Sequence, residues 1–73
     1  MKFRDFYNTL YKHCEEENIV NSYRVRVAHI SGWTYYEGAI GNIPLTTFKL
    51  LSVFNVENTK IDINTKTFVI YVN

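Results

Sequence analysis

Through the first seventeen positions apolar residues recur at intervals of three and four; beyond them the dominant interval is two. Phe3, Phe6, Tyr7, Leu10, Tyr11 and Cys14 share one arc of a helical wheel, with Lys2, Asp5, Asn8, Thr9, Lys12 and Glu16 opposite. That pattern predicts one amphipathic helix over about residues 2–17. Glu17 would fall back onto the apolar arc, so the helix should end near it. Asn18 suits the left-handed position that follows a helix end. A helix of this length is marginal in water and must dock on something else.

The remainder reads as sheet. In "SYRVRVAHI", Tyr23, Val25 and Val27 fall on one side and Arg24, Arg26 and Ala28 on the other. "WTYYEGAI" returns after a turn at Ser31-Gly32. Strands are expected at about 23–30, 33–40, 51–56 continuing into or followed by 60–63, and 67–72. Ile61 and Ile63 are expected to face inward. "LTTFKLL" fits a short helical turn through Leu45, Phe48 and Leu51, and its Thr-Thr-Phe also fits strand. No repeat or low-complexity tract interrupts the chain. The expected fold is a single α+β domain over 1–73: one N-terminal amphipathic helix packed across one face of an antiparallel sheet of about four strands.

A two-residue turn at Ser31-Gly32 would set the hairpin register. Ile30 then faces Trp33, Ala28 faces Tyr35, Val27 faces Tyr36, Arg26 faces Glu37, Val25 faces Gly38 and Arg24 faces Ala39. The Arg26–Glu37 match supports it, because slipping by one residue would oppose Arg26 to a neutral neighbour and invert every side chain. Tyr36 joins Val25 and Val27 under the helix. Trp33 and Tyr35 join Arg24, Arg26, Ala28 and Ile30 on the other face. In the last strand Phe68, Ile70 and Val72 suit the core, and Val69 and Tyr71 point outward. One helix covers one face, so an aromatic and aliphatic surface edged by arginine is expected to lie open unless "LTTFKLL" or a second copy of the chain covers it. Exposed apolar patches mark interaction sites, and Trp, Tyr and Arg are enriched at their hot spots. The candidate partner-binding residues are therefore Trp33, Tyr35, Tyr71, Ile30, Arg24 and Arg26.

Composition narrows the classes. With 47 % hydrophobic and 16 % aromatic residues the chain is globular rather than disordered. A net charge of +1 counts against a phosphate-driven nucleic-acid binder and against an acidic mimic of DNA. The one cysteine, Cys14, builds no internal disulfide framework and points to a reducing, cytoplasmic setting. No apolar run approaches a membrane span, and "MKFRDFYNTL" lacks an apolar signal core. His13 and Cys14 are adjacent, so a helix splays them about 100° apart. With His29 they offer no zinc-ligand spacing, and no metal or cofactor is expected. Ser22, Ser31 and Ser52 sit in no nucleophile motif, and "GAIGNIP" lacks the lysine of a phosphate cradle. The reading is of a protein that is not an enzyme.

The helix carries Lys2 and Arg4 at its start and Glu15, Glu16 and Glu17 at its end, which opposes the helix dipole. Local rules broken without compensation point to function. The three glutamates are thus a secondary candidate for partner binding.

In size, in its Asn-, Ile-, Tyr- and Lys-rich composition and in its helix-plus-sheet layout, the chain resembles the small orphan proteins of phages and mobile elements in low-GC bacteria, anti-CRISPR proteins among them. The resemblance carries over no functional residue. It implies a compact inhibitor or regulator that binds a larger host protein in the host cytoplasm. The chain departs from the strongly acidic DNA mimics of that group, which leaves surface blocking or dimerisation as the mode. Two other classes stay open: a small single-stranded nucleic-acid-binding protein that stacks bases on the same face, and a structural subunit that self-associates as a homodimer.

Overall fold

A computed structural model describes residues 1–73. Helix α1 spans Phe3–Glu16, strand β1 Arg24–His29 and strand β2 Thr34–Ala39. A 3-10 turn at Ile40–Asn42 leads to helix α2, Leu45–Leu51, then strand β3, Val56–Asp62, and strand β4, Thr67–Val72. The class is α+β, with the sheet order β2-β1-β4-β3.

α1 forms where the stripe predicts it. Phe3, Tyr7 and Cys14 are fully or almost fully buried, and Phe6, Leu10 and Tyr11 flank them half-buried. Its end is a Schellman motif. The Ile19 N–H donates to the Cys14 carbonyl at 2.9 Å and the Asn18 N–H to the Glu15 carbonyl at 3.1 Å. Asn18 takes φ 60°, the left-handed conformation that asparagine tolerates better than most residues. The bonds bring Ile19 back over Cys14, so the same turn that stops the helix adds an apolar residue to the core.

The segment left open between helix and strand is helical. Pro44 precedes α2 with extended backbone, and its carbonyl accepts the Phe48 N–H at 2.9 Å. A proline just before the first turn is favourable there, since it has no N–H to leave unpaired. Phe48 packs on Phe3 and Tyr7, with ring centroids 6.0 and 5.8 Å apart, and Leu51 is buried in the same cluster. Both helices therefore cover one face of the sheet. The strand expected to start at 51 begins instead at Val56, after a turn, because Leu51 is the last residue of α2.

The sheet is four-stranded and mostly antiparallel, as expected, with one parallel pair. β1–β2 and β3–β4 are antiparallel, but the two pairs meet through β1 and β4, which run parallel. Burial explains the order. "RVRVAH" and "TFVIYV" are the most buried strands, while β2 has no buried residue and β3 is mostly exposed. Strands with long apolar runs belong in the middle of a sheet, where both neighbours and at least one layer shield them. Val25, Val27, Ile70 and Val72 face the helices and meet Phe3, Tyr7, Cys14, Ile40 and Leu51. At the centre the Tyr7 hydroxyl donates a buried hydrogen bond to the Ile40 carbonyl.

Candidate interaction surface

The β1–β2 hairpin decides where the rings point. The Gly32 N–H donates to the His29 carbonyl at 2.8 Å, and the His29 N–H donates to the Trp33 carbonyl at 2.6 Å. The loop is thus Ile30-Ser31-Gly32, one residue longer than expected. Gly32 has φ +102°, the conformation that the last position of a three-residue hairpin loop demands and that side chains resist. His29 stabilises the loop, because its Nδ1 accepts the Ser31 N–H at 3.1 Å.

A second irregularity cancels the first. A bulge between Val27 and Ala28 leaves Tyr35 without a partner, so Ala28 pairs with Thr34 and Val27 with Tyr36. Beyond it the register is the expected one, with Arg26 opposite Glu37 and Arg24 opposite Ala39. Bulged residues re-aim side chains. Here Tyr35 turns toward the helix side and meets Phe54 edge-on, ring centroids 5.5 Å apart, among the half-buried residues that flank the core. Tyr35 is therefore not part of an open aromatic face.

Neither helix crosses the other face of the sheet. Arg24, Arg26, Glu37, Thr67, Val69, Tyr71, Lys60 and Asp62 lie on it by register. It is not the aromatic and aliphatic surface expected. Ala28 and Val69 are buried between their longer neighbours, and charged side chains form the outer layer. Arg26 and Glu37 stand opposite without closing to an ion pair; the only one in the molecule is Arg4–Asp5, at 3.7 Å on the surface. Tyr71 is half-buried, with the Lys60 ammonium 6.0 Å from its ring centroid. Arg24, Arg26, Glu37, Asp62, Thr65, Thr67 and Val69 line a shallow cleft in which two cations and two anions balance.

Two of the exposed apolar groups stand at the end of the sheet that holds the hairpin loop. Trp33 is 68 % exposed and Ile30 54 %. The Ile30 N–H donates to the Val72 carbonyl, and Asn73 and Asn55 exchange two backbone hydrogen bonds. The Met1 carbonyl accepts the Val56 N–H, and the Lys2 ammonium donates to the Val53 carbonyl at 3.0 Å. Met1, exposed, lies outside edge strand β3, on the opposite edge of the sheet from β2 and Trp33, and Val53, exposed, lies in the turn before β3. Arg24 lies at the opposite end of β1, so the six predicted residues do not converge on one site.

Glu15, Glu16 and Glu17 are exposed at the C-terminal end of α1 and form no ion pair. Cys14 is buried, and burial pushes its thiol above its ordinary value near 9. Burial, with smaller contributions from Tyr36, Tyr11 and Cys14, pushes the Tyr7 phenol far above its ordinary value near 10. Both groups are held in their neutral forms behind the helix, away from any opening.

The sequence reading did not single out Val53 and Met1, which the fold leaves exposed. It also placed Ile61 and Ile63 inward, yet they are 56 % and 77 % exposed. Ile61 does lie on the helix side of the sheet, but on edge strand β3. A groove of about 350 Å³ separates it from α1, lined by Phe6, Leu10, Ile61, Phe68 and Ile70 among others. No cluster of His, Cys, Asp and Glu side chains suited to a metal ion forms, and no helix is long and apolar enough to cross a membrane. No protein-family model, curated protein or solved structure matches the chain.

Proposed function

We propose that the chain is a non-enzymatic interaction protein that binds a larger protein through the hairpin end, with Trp33 as its anchor. The observation that carries this reading is the indole itself, 68 % exposed on a loop whose shape is fixed by a positive-φ glycine and two backbone bonds. A large ring on a preorganised support loses little freedom on binding, and tryptophan is prominent among interface hot spots. Ile30, exposed in the same hairpin loop, adds apolar area beside it. In size and composition the chain fits the phage and mobile-element inhibitors it resembles, and we place its action in the host cytoplasm, where a lone thiol stays reduced. Binding there would inhibit or regulate the host protein.

Capture from a low-GC bacterial lysate tests this. Wild type should retain a protein that the Trp33→Ala variant loses, while the two show the same thermal melt, since an exposed indole contributes little to folding. Equal capture by both would overturn the reading. Nucleic-acid binding through the charged face predicts a different result: retention that collapses as salt rises and is lost in Arg24→Ala and Arg26→Ala rather than in Trp33→Ala.

A further inference from the structure

β3 is an edge strand whose outer side meets the N-terminal residues at Val56, through the Met1 carbonyl, and has no strand partner beyond that point. Of the registers centred on Thr59, Lys60 and Ile61, its sequence is self-complementary in the last. On the helix-free face it presents Lys60 and Asp62; on the helix side it presents Thr59 and Ile61. Consider a second β3 lying antiparallel along the free edge. Centred on Lys60, the pairing sets lysine against lysine. Centred on Thr59, it sets Ile61 against Glu57. Centred on Ile61, it sets Lys60 against the second copy's Asp62 and Asp62 against the second copy's Lys60. The two Ile61 side chains then meet on the axis.

We propose that two copies of this chain associate through β3 in the Ile61-centred register, joining two four-stranded sheets into one continuous sheet. Charge complementarity selects the occupant, because opposite charges directly across a strand pair are favourable and like charges are not. Both charges are available. Neither Lys60 nor Asp62 takes part in an ion pair, and 6.0 Å is the outer limit of a cation–π contact, so the ammonium is free to swing. Asp62 accepts the Asn64 and Thr65 N–H groups through Oδ1 alone, which leaves Oδ2 open. The apolar side agrees. Ile61 and Ile63 are exposed in the single chain, and the groove beside Ile61 would meet its own image across the axis. The β3 bulge lies between Val56 and Asn58, outside the three strand residues, Lys60 to Asp62, that pair. A symmetric contact of this kind closes at two copies.

Sedimentation velocity from micromolar to millimolar concentration tests the proposal, with circular dichroism melts to confirm folding. Wild type should pass from one chain to two as concentration rises. Lys60→Glu alone and Asp62→Lys alone place like charges in both pairs and should each weaken association about tenfold or more. An equimolar mixture of those two variants restores opposite charges at both positions and should recover the dimer. A wild type that stays monomeric throughout would overturn the proposal. So would a dimer that survives Lys60→Glu, a mixture that fails to associate, or a dimer abolished by Trp33→Ala. The contact lies on a different surface from the Trp33 end, so its failure and the failure of partner capture are separate results.

Discussion

Tyr7 and Cys14 sit one above the other on the buried side of α1, and each is held protonated by the apolar surroundings. The consequence is a stability that declines in alkali. The unfolded chain releases these protons near pH 9 for the thiol and near pH 10 for the phenol, while the folded chain keeps them. Above those values the unfolded state binds fewer protons than the folded state, so the free energy of unfolding falls as pH rises. Below them the two states bind the same number and the effect vanishes. Urea midpoints measured from about pH 8 to about pH 11 should fall, and the fall should be shallower in Tyr7→Phe. An identical slope in that variant would remove Tyr7 as its source.

The α1 helix ends in three exposed glutamates, where the backbone dipole favours cations. Replacing Glu15, Glu16 and Glu17 together by lysine should raise stability by about 0.3–1 kcal/mol per charge, read as a higher melting temperature at low salt and a smaller gain at high salt. If partner capture is unchanged in that variant, the acidic end has no part in binding. The elements were legible to different degrees for physical reasons. α1 could be read because six residues repeat along one stripe, and its stop because Asn18 tolerates a left-handed backbone. The inner hairpin register could be read from Arg26 and Glu37. The loop could not, since Ser-Gly closes either a two- or a three-residue turn, and the compensating bulge at Tyr35 leaves no trace in composition. α2 is a short helix whose threonines and phenylalanine also suit a strand, and its docking against Phe3 and Tyr7 settles the matter. An exposed Trp33 is what the pattern predicts; the placement of Met1 beside β3 depends on backbone bonds between distant residues, which local pattern does not encode.

At the scale of the molecule, two hairpins are joined side by side through their inner strands, under two helices on one face. β4 lies between β1 and β3, so each hairpin borrows its burial from the other. No pattern along the chain announces that β1 and β4 run parallel; the only hint is that "TFVIYV" is the most continuously apolar strand, as a central strand should be. Residues 67–72 therefore act as a keystone that is set last in chain order. Until they emerge, β3 has no strand beside it beyond the Met1–Val56 contact and one side of β1 is bare, so a nascent chain gains little from its earlier segments. A fragment of residues 1–66 should show no cooperative melt by circular dichroism, and adding a synthetic 67–73 peptide should restore one. A sharp transition in the fragment alone would mean that the helices and the first hairpin form a folding unit of their own.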